Sequence, residues 1–367
     1  MKSNKCMLGD IITQRREKYS GEELPICGVT REGFIPPKQK DADTSLYNVF
    51  YEKDFVFNPA RMELNSIVYN DVYEKAMCSS LYEVFYVNRP DIVLPEFLAL
   101  IVKQDWFTRY CEFLGSGSAR EYCRVANISQ IEIDYPSIDV QQQIVKEYRV
   151  IRKRIRIKQQ INDNLLTSTD TIFSKMFLEN KSENVVPFTD IVQLMGGGTP
   201  KTDEDSFWNG GIPFFTPKDV SNSPFCISTE KQLSDDGLKS CSSRLYPSYT
   251  TFVTCRGTVG NLSMAGVPMA MNQSCYAMKG KSEYPPFFVY SFTRYVIATM
   301  KKKASGAVFS ALVTRDFEME KVFEPNIKNA IEYQSRVTPI FEEILSNTKE
   351  MQSLTELSQI LLARLSC

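Results

Sequence analysis

The 367-residue chain contains no histidine. This absence excludes Ser-His-Asp and Cys-His catalysis, excludes histidine-based metal sites, and removes the commonest general base. Ten cysteines are present, but none forms the C-x-x-C pair of a zinc knuckle. We therefore expect the cysteines to be packing residues of a protein in a reducing compartment.

Long apolar runs are also missing. No stretch approaches the ~20 apolar residues that a membrane span requires, and no apolar core follows the N-terminal residues Met1–Lys5. The sequence predicts neither a membrane segment nor a secretory signal, and it favours a cytoplasmic location.

Neither sign of charge is in excess, because 43 Lys and Arg accompany 44 Asp and Glu, for a net charge of −1. An apolar content of 43% is ordinary for a globular protein, and the length suffices for two domains with spacers. If nucleic acid is the partner, the basic residues must be segregated, or another subunit must supply part of the positive field.

Nucleotide-binding motifs are absent too. The glycine-rich loop Gly196–Lys201 has neither the Walker spacing nor the G-x-G-x-x-G fingerprint. Two interpretations of this loop are open: a phosphate cradle, or a tight turn that places Thr199 and Lys201 at a surface. The missing spacings favour the turn. Asn58–Arg61 lacks the second proline and the aromatic residue of the amino-methyltransferase motif, and we expect a turn there as well.

What the chain does contain is a pattern that occurs twice. A Ser-Gly pair, a proline and the start of a long charged helical segment follow one another in each half, and corresponding Ser-Gly pairs and prolines lie 189 residues apart. A period this long is not that of a solenoid, and it predicts a duplicated domain followed by a duplicated helix. The two copies are Ser116-Gly117, Pro136 and Ile138–Ile144, and Ser305-Gly306, Pro325 and Ile331–Val337.

Each half opens with a mixed α/β pattern. In the first, residues 68–72 and 82–87 have the β-branched and aromatic composition of strands, and residues 94–114 have helical spacing. In the second, residues 251–254 resemble a strand and residues 286–290 a helix.

Two long helices are predicted, over residues 137–178 with Ser137 as N-cap and over residues 328–365. Asn347 lies on the apolar stripe of the second helix, either as a register-setting polar position or as a break in the pattern. Basic residues are expected on the polar face of the first helix, namely Arg149, Arg152, Lys153, Arg154, Arg156 and Lys158. The predicted apolar stripes are Ile144, Tyr148, Ile151, Ile155, Ile161, Leu165 and Ile172, and Val337, Ile340, Ile344, Met351, Leu354, Ser358, Leu361 and Leu365 around Asn347.

Each helix needs a partner for its apolar stripe, and each can serve the other. We therefore predict a mixed α+β fold, with two globular α/β domains separated by an intramolecular antiparallel coiled coil. The expected boundaries are residues 1–136 and 181–327 for the domains, and 137–180 and 328–367 for the helices.

The duplicated pattern resembles the specificity subunit of type I restriction-modification systems over nearly the whole chain. The resemblance is strongest in the second half, in Gly197–Pro200, Trp208–Phe214 and the junction from Pro325 to Val337. In the first half, Leu8–Ile11 is similar to Phe188–Ile191, and Asn58–Leu64 resembles a segment common in the family. The first half lacks the G-G-T-P loop, and the two halves are therefore expected to read different sequences.

The resemblance implies two target recognition domains, each of which reads one half of a split DNA site. It implies a non-catalytic subunit whose helices set the gap between half-sites and dock methyltransferase subunits, with a restriction and translocation subunit joining for cleavage. The chain is then expected to hold no cofactor, because S-adenosylmethionine, ATP and Mg²⁺ belong to the partner subunits.

Candidate DNA-binding residues are basic or hydroxylated side chains predicted in loops, where phosphate contact and base reading are feasible. A duplicated coiled-coil scaffold that does not bind DNA is the alternative, and a complete methyltransferase-nuclease is disfavoured by the missing catalytic motifs. The candidates are Arg61, Arg120, Thr199, Lys201, Lys218, Arg256, Lys301, Lys302 and Lys303.

Overall fold

The computed structural model describes residues 4–37, 43–116, 122–179, 181–303 and 311–363. The chain divides into two compact units. The first unit is Met1–Arg154 together with Leu354–Cys367, and the second is Ile155–Ser353.

The first unit is a mixed α/β body whose strands form three small sheets. The sheets have the strand orders β1-β10, β2-β9-β6-β7 and β4-β3-β8-β5. Its strands are β1 (Asn4–Met7), β2 (Ile12–Arg15), β3 (Ile26–Thr30), β4 (Gly33–Ile35), β5 (Asn48–Tyr51), β6 (Phe55–Phe57), β7 (Ile67–Tyr69), β8 (Lys75–Cys78), β9 (Glu83–Val87) and β10 (Glu132–Tyr135). Its short helices are α1 (Pro95–Ile101), α2 (Asp105–Gly115) and α3 (Val125–Ile128).

The long helix α4 (Ile138–Phe173) begins in the first unit and continues into the second, where it ends in a π-helical turn at Ser174–Leu178. The second unit has the sheets β11-β20, β12-β19-β16-β17-β14 and β15-β13-β18. Its strands are β11 (Val185–Pro187), β12 (Val192–Gly196), β13 (Trp208–Phe215), β14 (Phe225–Cys226), β15 (Gln232–Leu233), β16 (Thr251–Thr254), β17 (Leu262–Ala265), β18 (Ala270–Met271), β19 (Cys275–Gly280) and β20 (Lys321–Phe323). Its helices are α5 (Phe188–Ile191), α6 (Asp235–Lys239), α7 (Pro286–Lys303) and α8 (Thr314–Met319), followed by the long α9 (Ile327–Ala363).

The two units share one topology. The order β2-β9-β6-β7 corresponds to β12-β19-β16-β17, and the parallel pair β3·β8 corresponds to β13·β18. Corresponding backbone hydrogen bonds occur in both units: Cys123 N donates to Pro59 O at 3.1 Å, and Leu312 N, at the equivalent position 189 residues later, donates to Cys255 O at 3.0 Å. The duplication read from the sequence is therefore a duplication of the fold.

The long helices α4 and α9 contain 36 and 37 residues. Within the second unit they run antiparallel, because Asn162 contacts Asn347 while Thr169, later in α4, contacts Tyr333, earlier in α9. The predicted fold class, mixed α/β with two long antiparallel helices, is confirmed. The helix α9 continues through Pro339, which lies in its interior.

Three sequence predictions about the helices were wrong. The single helix expected over residues 94–114 is broken into α1 and α2 around Lys103, whose ammonium donates to Ile67 O at 2.7 Å and Arg31 O at 2.6 Å. Ile161, placed on the apolar stripe, is 41% exposed, and its neighbour Asn162 is buried instead. Lys158, placed on the polar face, turns inward to Asn347 and Glu350.

The cores are apolar and aromatic, as globular packing requires. In the first unit Phe55, Phe57 and Phe85 are fully buried, and in the second Phe288 and Tyr333 hold an aromatic cluster where α4, α7 and α9 meet. Seven of the nine described cysteines are buried and all nine are free, which confirms their predicted packing role. Among the described residues no helix is both long and apolar enough to span a bilayer.

Candidate nucleic-acid interface

Four loops of the second unit converge where strands β12, β13, β16 and β18 end. We call this region the loop edge, and it consists of residues 196–201, 216–219, 255–261 and 272–274. Backbone hydrogen bonds join the loops: Asn272 N donates to Phe215 O at 3.0 Å, and Cys255 N donates to Ser274 O at 2.8 Å. The loop edge is therefore a continuous, backbone-supported surface.

The glycine-rich loop serves close backbone packing at this edge. A Cβ on Gly197 would lie 2.3 Å from Asn272 O and 2.5 Å from Met271 O, so only glycine fits. Gly198 N donates to Met271 O at 3.2 Å, and the half-buried Thr199 then donates its hydroxyl hydrogen bond to Oε1 of Gln273. The loop is thus an irregular segment that packs on residues 271–272 and presents Thr199, and the tight turn expected there was wrong.

Two candidate cations lie on neighbouring loops of the edge. A Cβ on Gly257 would lie 3.8 Å from Cβ of Pro217, which places the exposed Arg256 and the exposed Lys218 on adjoining loops. Asp219 beside them caps its own turn, since its carboxylate accepts hydrogen bonds from Thr216 N at 2.7 Å and Glu230 N at 2.9 Å. That carboxylate is already occupied by backbone donors, and Lys218 and Arg256 project from the same surface.

The three lysines that end α7 have different surroundings. Lys301 Nζ donates to Gly260 O at 3.0 Å and so joins the loop edge. Lys303 forms an ion pair with Glu320 at 2.5 Å, which offsets part of its positive charge at the surface. Lys302 is exposed. The structure therefore brings Lys301, but not Lys303, together with Thr199, Lys218 and Arg256.

Lys201, the last residue of its loop at this edge, lies beside Trp208. Its carbonyl oxygen accepts a hydrogen bond from Trp208 Nε1 at 3.0 Å, and the Trp208 ring packs against Phe214 with centroids 5.6 Å apart. Lys231 lies over the same ring at 5.1 Å. Trp208 is therefore a structural corner, and Lys201 is an exposed residue beside it.

In the first unit, the exposed Arg61 lies in the turn Pro59–Leu64, between β6 and β7. The equivalent connection in the second unit, between β16 and β17, carries Arg256. Asn65 and Gly260 end these two connections with positive φ values of 50° and 74°. Arg61 lines a cleft of about 960 Å³ with Arg31 and Leu81. Arg120 lies outside the described residues.

Sequence reasoning missed the roles of two polar residues, Lys158 and Gln273. Asn347 is buried and accepts a hydrogen bond from Lys158 Nζ at 2.6 Å, while its amide nitrogen donates to Asn162 at 2.9 Å. This favours the register-setting interpretation of Asn347 over a break in the pattern. Lys158 was missed because a lysine in a charged helical segment is expected on the polar face. Gln273 was missed because nothing local distinguishes it from other exposed glutamines.

No group of three or more Cys, Asp or Glu side chains is arranged to hold a metal ion in the part of the chain that is described. Burial raises the pKa of the thiols of Cys226 and Cys255 to about 12, which keeps both in the unreactive thiol form.

The arrangement matches proteins of known class. A family model described as "Type I restriction modification DNA specificity domain" matches residues 31–167 and 180–359, one copy in each half. The type I restriction enzyme HindI specificity subunit of Haemophilus influenzae is 23% identical, with 77% of this chain and 79% of that protein covered. The MjaIX specificity subunit of Methanocaldococcus jannaschii is 25% identical, with 48% of this chain and 41% of that protein covered.

The fold is also found among solved structures. The S subunit of a type I restriction-modification system from M. genitalium superposes with a TM-score of 0.62 at 15% identity, covering 99% of this chain and 96% of that one. At this identity the likeness establishes the fold, and the two family matches establish the relationship. The chain therefore belongs to the type I restriction-modification DNA specificity subunits, which are non-catalytic DNA-recognition components.

Proposed function

We propose that this chain reads a bipartite double-stranded DNA site, with one half-site for each globular unit. The observation that carries the proposal is the repeated fold, in which Arg61 and Arg256 occupy equivalent connections. The proposed target recognition domains are residues 1–136 and 181–327, and the proposed spacer helices are residues 137–180 and 328–367.

The chemistry of the loop edge supports contact with DNA. Lys218, Arg256 and Lys301 supply cations for phosphates, and Thr199 and Gln273 supply polar groups for base edges. Lys201 and Lys302 are placed at the margin of this interface. Lys303 contributes less than its neighbours, because its ammonium is paired with Glu320. With a net charge of −1, the protein has no overall positive field, and contact with DNA therefore depends on the local cations of this interface.

The partners follow from the class of protein. The long helices dock the methyltransferase subunits, and a restriction and translocation subunit joins for cleavage, in the cytoplasm. Catalysis and the cofactors S-adenosylmethionine, ATP and Mg²⁺ belong to those subunits. In the first unit, a shallow groove beside α4 is lined by Leu94, Glu96 and Val145. Arg149 pairs there with Glu96 at 3.6 Å, and Lys146 and Lys153 are exposed and suited to an acidic partner.

The test is the methylation pattern written by the full chain together with its methyltransferase partner. Sequencing that detects methylated bases should reveal one bipartite motif with a non-specific gap of fixed length. The methyltransferase alone should leave no such motif. A pattern that is the same with and without this chain would refute DNA recognition and favour a scaffold that does not bind DNA.

A further inference from the structure

A short turn has the same backbone in both units but carries different exposed side chains. In the second unit it is residues 272–275, between β18 and β19, and Cys275 N donates to Asn272 O at 3.4 Å. In the first unit it is residues 79–82, between β8 and β9, and Tyr82 N donates to Ser79 O at 3.0 Å. The strand before each turn pairs in parallel with its neighbour, through Cys27 and Cys78 or through Phe215 and Met271.

The side chain that opens each turn holds it in the same way. Asn272 Oδ1 accepts a hydrogen bond from Ser274 N at 3.1 Å, and Ser79 Oγ accepts one from Leu81 N at 3.3 Å. Gln273 is therefore equivalent to Ser80, and Ser274 to Leu81. The duplicated fold keeps the backbone of this turn and changes the chemistry at its tip.

We propose that this turn reads bases, and that Gln273 reads an adenine edge in the half-site of the second unit. The proposal rests on the proposed function and adds a residue and a base to it. A glutamine amide matches the N6 donor and N7 acceptor of adenine in the major groove, and readout of this kind needs a fixed amide. The Thr199 hydroxyl supplies that fixation, because it donates to Oε1 of Gln273 and leaves the amide nitrogen free to point outward.

The surroundings of Gln273 suit readout of a base. Its turn is joined to the Arg256 loop through the bond from Cys255 N to Ser274 O, and the two chain segments meet at the loop edge. Cations that bind phosphates orient a protein on DNA. Gln273, whose turn adjoins the Arg256 loop, is then positioned at the groove. An amide already fixed by Thr199 loses little conformational entropy when it binds a base.

The first unit carries a different reader in the same turn, one position later than Gln273. Leu81 is 76% exposed, and it lines the same cleft as Arg61. Exposure of an apolar leucine side chain to water does not stabilise the protein. In the major groove, the same side chain contacts the methyl group of thymine. The two turns thus explain how one fold, used twice, reads two different half-sites.

The test compares methylated motifs written by the full chain with its methyltransferase partner. In Gln273→Ala, one A·T position in one half-site should become degenerate, with a loss of discrimination of about ten- to a hundredfold at that position. Thr199→Val should weaken discrimination at the same position. The matched control is Gln193→Ala, which removes an exposed glutamine at the opposite end of β12 and should leave the motif unchanged.

A second variant tests the turn without removing any contact from the second unit. Replacing Ser80 and Leu81 by Gln and Ser should change one position in the other half-site. An unchanged motif in Gln273→Ala, a uniform weakening at all sequences, or changes in both half-sites from one variant would each overturn the proposal. If the unaltered complex writes no motif that depends on this chain, then DNA recognition itself fails, and that outcome is separate from the failure of Gln273.

Discussion

Gly197→Ala tests whether the glycine-rich loop must pack directly on the backbone of the turn at residues 272–275. The added Cβ would lie 2.3 Å from Asn272 O, whereas ordinary contact begins at 3.4 Å, so the backbones must part by about 1 Å. The hydrogen bond from Gly198 N to Met271 O is then lost, together with the contact that fixes Gln273. Overpacking and a lost hydrogen bond together should destabilise the second unit by about 2–4 kcal/mol.

The adjacent Gly196 gives a matched control. A Cβ there meets nothing within 4 Å, and its backbone is extended in β12, so Gly196→Ala should change stability by less than about 1 kcal/mol. Unfolding of the second unit in denaturant can be followed by the fluorescence of Trp208 after Trp106→Phe, because the chain has only these two tryptophans. Equal midpoints for the two alanine variants would refute the packing argument.

Two further predictions concern the first unit and the spacer. Burial lowers the pKa of Lys103 in the folded protein to about 8, whereas its pKa in the unfolded chain is near 10.5. Between these two pH values the unfolded chain binds more protons than the folded protein. The free energy of unfolding should therefore rise with pH across this window, by at most about 3 kcal/mol. Denaturation of Lys103→Met across that window should lose the rise, whereas the exposed control Lys146→Met should keep it. Paired insertions of seven residues after Arg154 and after Ser353 lengthen both long helices by about 10 Å, which corresponds to about three base pairs. The methylated motif should gain a gap of that length with both half-sites intact, and an unchanged gap in an active variant would contradict the spacer.

The repeat and the long helices could be predicted from sequence because they rest on periodicity and offset. The 189-residue spacing recurs between the acceptors Ile131 O and Glu320 O, which bind Leu8 N in the first unit and Phe188 N in the second. Helix existence is a local property, and α4 begins directly after the predicted Ser137.

Properties that depend on distant contacts could not be predicted. Lys158 resembles any surface lysine of a charged helix, and only the approach of Asn347 turns it inward. The break around Lys103 likewise depends on two carbonyl oxygens far away in sequence, because the local pattern continues as a helix through it. At the loop edge, Gln273 gains its fixed orientation from Thr199, which is 74 residues away.

The central claim is that each globular unit reads one half-site independently. The most direct measurement exchanges residues 181–327 for the equivalent segment of a related specificity subunit, and then determines the methylated motif written by the chimera with the methyltransferase partner. The duplicated fold predicts that one half-site takes the sequence of the donor, while the other half-site and the gap stay as they were. A motif that changes in both half-sites, or that changes in neither while the chimera remains active, would contradict it.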